Sequence, residues 1–326
     1  MTFRNRLKSV IRRVRTPKPR PLILCYHRIA DEPLDPWGLA VSPANFEEQL
    51  EVLCRTRRPL PLAQFVRDLM AGTLPSNAVS LTFDDGYVDN LIAGKPRVAK
   101  AGIPATVFLV TGSLNRSGEF WWDELARLIL TGSGPGSFAL QIGGKSMQIR
   151  LEVETIPDIA QSETRRPALT TIWEALRRLD DEERGSTMHI LRSMFTIKQS
   201  SPSGRAMRSE EVEALTKDGL VTVGAHTVTH PLLSELTAAD CRREIRESKI
   251  ACESLTGRSV TGFAYPFGNF NAAVREEVRS IGFSFACSVR YGPANANSDV
   301  FALPRIHIQN SDGDLFERTI RSAAVG

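Results

Sequence analysis

Two adjacent carboxylates stand where a predicted strand ends. Asp84 and Asp85 directly follow the apolar run at residues 81–83, and Gly86 permits a sharp turn after them. Neighbouring carboxylates repel each other, so they are tolerated where a positive charge offsets them, and a bound metal ion would supply that charge. The sequence therefore predicts a metal site at this strand end.

Two histidines further along the chain can complete that site. His226 and His230 follow another apolar run, residues 220–225, and a spacing of four lets both imidazoles point the same way from one helical turn. One of the two carboxylates plus the two histidines leaves a coordination position open for water, which is typical of catalytic rather than structural zinc. Zn²⁺ is the expected cofactor, although Co²⁺, Ni²⁺ or Fe²⁺ would accept the same ligands.

These motifs resemble those of a known enzyme family. Residues 82–86 and 226–230 look like the first two motifs of the polysaccharide deacetylases (NodB-homology, carbohydrate esterase family 4), and residues 263–268 look like a variant of the third. Together the matches extend from about residue 22 to about residue 308, with a long middle segment left out. Each motif alone is a weak signal, but their combination in this order is specific.

The resemblance implies a hydrolase that removes an N-acetyl group from an amino sugar. Asp85, His226 and His230 would be the metal ligands, and Asp84 would be the general base that takes a proton from the attacking water. An N-formyl substrate stays open, because the same chemistry serves both acyl groups and pocket depth distinguishes them. The expected partner is an N-acylated amino sugar of a cell-envelope glycan or exopolysaccharide, either free or as a lipid-linked precursor.

The third motif departs from the family pattern. Ala264 stands where the family carries the arginine that steadies the catalytic aspartate, and Phe267 stands where a tyrosine is usual. The backbone N–H of Phe267 can still donate to an oxyanion, with Tyr265 as a further substrate-side residue. We predict that Arg305, at the start of a late strand, substitutes for the missing guanidinium.

Two histidines compete for the role of general acid towards the amine leaving group. His27 ends an L-x-x-H match at residues 24–27, which resembles the circularly rearranged branch of the family, where this strand comes first. His307 lies where the usual motif order expects the acid, but its spacing is one residue too long. His27 is the favoured candidate, and both are retained.

The remaining pattern indicates an α/β fold. Short apolar runs alternate with amphipathic helices, which predicts parallel strands covered by helices. The family resemblance implies an irregular seven-stranded (β/α) barrel, built from residues 21–112 and 205–326. The predicted barrel strands are residues 22–26, 78–83, 105–110, 220–225, 262–265 and 284–289.

Between residues 113 and 204 this alternation stops. Trp121 and Trp122 open a predicted helix and could stack on sugar rings or anchor the segment. We interpret residues 113–204 as a mixed α/β insertion that serves either as a substrate lid or as a stabilising subdomain. Its predicted elements are a helix to residue 130, a hairpin at residues 138–142 and 147–151, and a helical stretch at residues 168–195.

Charge is concentrated at the N-terminus. Residues 1–20 contain six Arg, two Lys and no acid, whereas the net charge of all 326 residues is +4. Apolar residues at positions 3, 7, 10, 11 and 14 share one helical face, which indicates a basic amphipathic tail. Such a tail suits an anionic membrane surface, and a solvated tail is the alternative. Nucleic acid is not an expected partner, because aromatic residues are not interleaved with the basic ones.

Several features favour a cytoplasmic setting. The five cysteines show no CxxC spacing, no run of 18 apolar residues exists, and the N-terminus lacks the apolar region of a secretory signal. The expected location is the cytoplasm, in contact with the inner membrane face through the tail.

Two other function classes fit parts of the pattern. A catalytically inactive carbohydrate-binding protein would keep the fold, and the altered third motif favours that alternative. A non-haem Fe(II) oxygenase uses the same two-histidine, one-carboxylate ligand set. Oxygenases commonly carry H-x-D before a distant histidine, and this chain has the reverse order.

Overall fold

The structure is a computed structural model that describes residues 19–151, 165–197 and 204–324. The predicted basic tail, residues 1–20, lies outside the described residues apart from its last two positions. Within the described ranges, every helix is too short or too polar to cross a bilayer.

The chain forms twelve strands and ten α-helices within those ranges. Strands β1 to β12 are Leu22–Tyr26, Arg28–Ile29, Ala40–Val41, Arg58–Pro59, Ala78–Phe83, Ala105–Leu109, Ser137–Ile142, Lys145–Arg150, Val221–Ala225, Gly262–Ala264, Phe285–Cys287 and Ile306–His307. Helices α1 to α10 are Pro43–Thr56, Leu62–Ala71, Lys95–Ala101, Trp121–Thr131, Arg166–Leu176, Asp181–Met194, Ser209–Thr216, Ala238–Thr256, Ala272–Ser280 and Gly313–Ala323.

A curled parallel sheet forms the body of the fold. Its strand order is β11-β10-β9-β6-β5-β1-β12, and β4 pairs beside β5. Leu303, just before β12, bridges to Cys287 in β11, while Ile306 in β12 pairs with Leu24 in β1, so the two ends of the sheet approach each other. The predicted α/β class and irregular seven-stranded barrel are confirmed.

The sheet brings the carboxyl ends of its strands to one mouth. Every residue of β1, β5 and β6 is buried, as expected for parallel strands covered on both faces. The loops that leave β1, β5, β6, β9 and β10 therefore converge at this mouth. Most predicted site residues follow these strands, so the fold gathers residues as distant in the sequence as His27 and Phe267.

The predicted insertion has a hydrophobic core of its own. The core is formed by helices α4, α5 and α6 with the antiparallel hairpin β7–β8, and includes Leu125, Ile129, Leu140, Ile172 and Leu191. A bridge between Glu119 and Arg205 joins the two ends of this segment beside the mouth of the barrel.

The helical stretch predicted at residues 168–195 is present as two helices. Two helices, α5 and α6, occupy it, and they are separated at residues 177–180. The side chain of Asp180 accepts a hydrogen bond from the backbone N–H of Glu183, and this cap starts the second helix.

Candidate active site

The two aspartates after β5 are placed by a strained turn. Asp85 has a φ of 70° and Gly86 a φ of 84°, so the chain reverses directly after the strand. A Cβ added at Gly86 would lie 2.6 Å from Cδ2 of Leu109, which leaves glycine as the residue that fits. The turn separates the neighbouring carboxylates, so that Asp84 and Asp85 have different partners.

Asp85, His226 and His230 converge on one point. The Oδ1 atom of Asp85 lies 3.6 Å from Nε2 of His226 and 3.5 Å from Nε2 of His230, and the two Nε2 atoms are 3.2 Å apart. A tetrahedral zinc ion with bonds of about 2.0–2.1 Å separates its ligand atoms by about 3.3–3.4 Å. This Oδ1 atom is also buried without a hydrogen-bond partner among the described residues. The three residues therefore fit a metal ion.

The protonation states of His226, His230 and Asp85 also fit metal binding. Nδ1 of His226 lies 2.7 Å from the carbonyl oxygen of Ala264, so Nδ1 carries the proton and Nε2 presents a lone pair. Burial lowers the pKa of both His226 and His230. Burial, followed by the charge of Asp84, raises the pKa of Asp85 well above its usual value. A cation at this point would reverse the penalty on the carboxylate.

The geometry of the histidine motif differs from the prediction. His226 and His230 do not lie on a helical turn, because Thr227 has a φ of 68° and His230 a φ of 59°. The backbone N–H of His230 donates to Oγ1 of Thr227 at 3.0 Å, which closes the loop locally. The prediction of a helical turn was therefore wrong, and two left-handed residues bring the imidazoles together instead.

A buried carboxylate on α8 holds this loop. Oε2 of Glu244 accepts from the backbone N–H groups of Val228 and Thr229 at 2.8 and 2.9 Å, and Oε1 accepts from the hydroxyl of Thr229 at 2.8 Å. Three contacts to consecutive residues between the two ligands fix the conformation that points the histidines inward. The sequence motif contains no signal for Glu244, because it lies on the following helix.

Replacing Glu244 with glutamine is expected to weaken metal binding by about 10- to 100-fold, the usual effect of losing a group that orients metal ligands. An amide has one acceptor atom, so it cannot keep all three contacts. The measurement is the Kd for Zn²⁺ by competition with a chelator. Glu247→Gln is the matched control, since Glu247 is exposed on the same helix. Equal affinities in both variants would contradict the role.

Asp84 is held by Arg305 in a buried ion pair. Nη1 and Nη2 of Arg305 lie 2.7 Å from Oδ1 and Oδ2 of Asp84, and Nε donates to the carbonyl of Ser288 at 3.0 Å. Burial alone would raise the pKa of Asp84, but the guanidinium outweighs it and holds that pKa below its usual range. The contact predicted for Arg305 is present, so Asp84 is an ionised carboxylate beside the metal ligands.

Replacing Arg305 with alanine is expected to lower the free energy of unfolding by about 3–5 kcal/mol, because it leaves a buried carboxylate unpaired. It should also lower kcat more than it changes KM, since Asp84 loses its orientation. Lysine should restore only part of kcat, because an ammonium cannot make both contacts. Denaturant titration and steady-state kinetics measure these effects, with Arg290→Ala, an exposed arginine nearby, as control. Full kcat in Arg305→Ala would refute the positioning role.

A cavity of about 270 Å³ contains these groups. It is lined by His27, Trp37, Leu39, Asp84, Asp85, Trp122, Trp173, His226, His230, Tyr265, Phe267 and Val289. Trp122 and Trp173 belong to the insertion, so this segment covers the metal ligands. Apolar and aromatic walls with a few convergent polar groups suit a small organic ligand.

The two candidate acids lie side by side. The ring centres of His27 and His307 are 5.2 Å apart, but His27 lines the cavity whereas His307 is exposed beside it. Burial lowers the pKa of His27 to about 3, against the charge of Asp84, which raises it. Nδ1 of His27 is buried and has no partner among the described residues.

Phe267 and Tyr265 both line the cavity, as expected. The ring of Phe267 lies 4.5 Å from that of His230, and its φ of 55° is unusual for a residue with a side chain. The hydroxyl of Tyr265 donates to the carbonyl of Phe301 at 2.9 Å, and its ring stacks on Phe270. That hydroxyl is therefore committed to a backbone carbonyl, and the substrate-side role of Tyr265 stays a prediction.

The two predicted tryptophans have different positions. Trp122 lines the cavity, but its Nε1 donates to the hydroxyl of Tyr87 at 2.7 Å and its ring stacks on Phe120, so it anchors the insertion. Trp121 does not line this cavity. Sequence reasoning missed Trp37 and Trp173, which do. Their rarity was an available signal, because the chain has only four tryptophans.

The chain is similar to a curated protein and to several solved structures. The curated protein YxkH of Bacillus subtilis (strain 168) is 22% identical over 131 residues, which are 40% of this chain and 47% of YxkH. The chain thus spans about half the length of the curated relative it matches. Solved structures with similar folds include the Streptococcus pyogenes deacetylase PplD in complex with acetate and IcaB from Ammonifex degensii.

The structural matches cover almost the whole chain. PplD is 19% identical over 94% of this chain and 99% of its own, with a TM-score of 0.60. IcaB is 18% identical over 94% of this chain and 97% of its own, with a TM-score of 0.58. At these identities the likeness shows the fold alone. A family model described as polysaccharide deacetylase matches residues 71–135 and 167–286, more than half of the chain.

Proposed function

This chain belongs to the polysaccharide deacetylase family, and on that premise we propose that it is a metal-dependent hydrolase acting on an N-acylated amino sugar. The acyl group is acetyl or formyl, and the sugar belongs to a cell-envelope glycan, an exopolysaccharide or their lipid-linked precursor. The observation that supports the proposal most is the convergence of Asp85, His226 and His230 beside the separately held Asp84 in one cavity.

The reaction adds water to the acyl carbon and breaks the C–N bond, giving a carboxylate and a free amine. A divalent metal, when bound, supplies the positive charge that makes water easier to deprotonate and stabilises negative charge on the acyl oxygen. Asp84 takes the proton from water, and Arg305 keeps that carboxylate ionised and oriented. The backbone N–H of Phe267 is the proposed donor to the acyl oxygen.

His27 is the proposed acid towards the departing amine, because it lines the cavity and His307 does not. An imidazole with a pKa of about 3 is neutral at pH 7. The addition of water places a negative charge on the acyl oxygen, and a negative charge close to His27 raises the pKa of the ring. The proton is therefore taken up and passed on only while the reaction is in progress.

Replacing His27 with alanine is expected to lower kcat by about 10²- to 10⁴-fold, the usual contribution of a general acid. His307→Ala should lower it by less than about tenfold, because that ring is exposed beside the cavity. Acyl release at saturating substrate measures both, with metal content checked in each variant. A larger loss from His307→Ala would reverse the assignment.

The function itself is tested with Zn²⁺-loaded protein and N-acetylated and N-formylated amino-sugar oligomers. Equal release of carboxylate and free amine, lost when the metal is chelated, is the expected result. Oligomer binding without turnover would instead support the inactive carbohydrate-binding protein. Metal-dependent oxygen consumption would support the oxygenase.

The location of the protein is proposed from the sequence alone. Residues 1–18 fall outside the described residues, so the cytoplasmic, membrane-surface role of the basic tail stays a prediction. Binding of the full chain to vesicles with and without anionic lipid tests it, with a chain that begins at residue 19 as control. Equal binding by both chains would contradict the role of the tail.

A further inference from the structure

Helix α6 of the insertion contacts the loop that carries two of the metal ligands. Nη2 of Arg184 donates to the carbonyl oxygen of Thr229 at 3.1 Å, and Thr229 directly precedes His230. Arg184 is 2% exposed, so protein groups rather than water hold its guanidinium. Hydrogen bonds from a charged donor are among the stronger ones in proteins. The insertion therefore reaches the metal site through the backbone of this loop as well as through the walls of the cavity.

Thr229 is held from two sides. Glu244 on α8 accepts from its backbone N–H at 2.9 Å and from its hydroxyl at 2.8 Å, whereas Arg184 on α6 donates to its carbonyl oxygen. The carbonyl of Thr229 and the N–H of His230 belong to one planar peptide group, so Arg184 fixes the plane from which His230 extends. His230 has a φ of 59°, which is uncommon for a residue with a side chain, and contacts on both sides of the preceding residue stabilise that conformation.

Other contacts fix the guanidinium of Arg184. Its Nη2 lies 3.1 Å from Oδ1 of Asp181, and Oδ2 of Asp181 lies 2.8 Å from Nη2 of Arg116 in the loop after β6. Its Nη1 donates to the carbonyl oxygen of Leu179 at 3.3 Å. Because the planar guanidinium is rigid, these contacts also set the direction in which it donates to the histidine loop.

The charge of Arg184 and its position have opposite effects on a metal. By charge alone, a guanidinium that acts on His230 repels a bound cation. By position, the same group favours the metal, because it keeps a ligand in the orientation that binding needs. Removing the guanidinium would therefore strengthen metal binding if charge were its main effect, and would weaken it if position is.

We propose that Arg184 is a positioning residue for the metal site and that it couples docking of the insertion to metal binding. The docked insertion holds the peptide group before His230 and so raises the affinity for metal. Because such coupling is reciprocal, bound metal in turn stabilises the docked insertion. The insertion is thus a part of the metal site and not only its cover. The inference rests on the proposed function, because it uses the metal ligands Asp85, His226 and His230 of that function.

Arg184→Met is expected to weaken Zn²⁺ binding by about 10- to 100-fold, the usual loss when a group that orients metal ligands is removed. The measurement is the Kd for Zn²⁺ by chelator competition, with the absorption spectrum of Co²⁺-loaded protein as a readout of ligand geometry. Asp181 keeps Arg116 as its partner in this variant, so the fold should be preserved. Arg184→Lys keeps a charged donor and should recover part of the affinity. Arg192→Met is the matched control, because Arg192 is exposed on the same helix and pairs with Glu124 inside the insertion.

Hydrogen exchange measures the coupling in the other direction. Added Zn²⁺ should slow exchange of the α6 amides, residues 181–194, in the wild type and in Arg192→Met but not in Arg184→Met. Equal or tighter Zn²⁺ binding by Arg184→Met, or wild-type protection of its α6 by Zn²⁺, would overturn the inference and leave the deacetylase function standing. Wild-type protein that binds Zn²⁺ with the expected coupling but releases no acyl group would reject the function and keep the inference. Wild-type protein that binds no Zn²⁺ would reject both.

Discussion

Asp84→Asn is expected to lower kcat by about 10²- to 10⁴-fold while the protein keeps its metal. Asparagine has nearly the same shape but cannot accept a proton from water. The metal ligands are unaffected in this variant, because Asp84 contacts Arg305 rather than the point where Asp85 and the histidines meet. The measurement is kcat for acyl release together with metal content on the same sample.

The Asp84→Asn variant also needs a control for the loss of stability that follows from removing a buried charge. Asp84→Asn leaves the Arg305 guanidinium buried without its counter-ion, so the free energy of unfolding should also fall. The double variant Asp84→Asn/Arg305→Gln removes both charges and should recover stability without recovering kcat. Recovery of kcat in the double variant would show that strain, and not loss of a base, caused the defect. Unchanged kcat in Asp84→Asn would remove Asp84 from the mechanism.

Asp85→Ala and His226→Ala are each expected to abolish metal binding and, with it, acyl release. Either change leaves two ligands of three, and the remaining pair cannot define a tetrahedral site with one open position. Elemental mass spectrometry should find about one metal ion per wild-type chain and almost none in either variant. His189→Ala controls for the loss of any histidine, because His189 is exposed on α6.

The Asp85→Ala variant should remain folded, because it removes a group that carries a penalty in the metal-free protein. The Oδ1 atom of Asp85 is buried without a partner among the described residues, and its pKa is raised by burial and by Asp84. Asp85→Ala should therefore be at least as stable as the metal-free wild type. Full metal content in both variants would contradict the ligand assignment and, with it, the hydrolase mechanism.

The sequence was sufficient to predict the strand ends that carry the chemistry. Strand β5 was predicted with its observed bounds, because its apolar run is interrupted by Asp84, Asp85 and Gly86. Arg305 was predicted as the partner of Asp84 because a guanidinium was missing from the third motif. The first inference used a local pattern, whereas the second used the family resemblance.

Other features of the site could not be predicted, because they depend on long-range packing. Two residues in the loop from His226 to His230 have left-handed backbone conformations. Glu244, on another helix, accepts hydrogen bonds from the backbone of this loop and so stabilises that conformation. A spacing of four residues is compatible with a helix or with this loop, and only the tertiary partner decides between them. The positions of Trp37 and Trp173 likewise depend on how the insertion folds over the barrel.

The ion pair between Arg305 and Asp84 joins residues 221 positions apart in the sequence. Contacts of such high sequence separation form late in folding, because the entropy of closing the intervening loop must first be overcome. A chain that has been synthesised only as far as β11 contains all three metal ligands but lacks Arg305, which orients the general base Asp84. During synthesis, the protein would therefore gain the capacity to bind metal before it gains the capacity to hydrolyse its substrate.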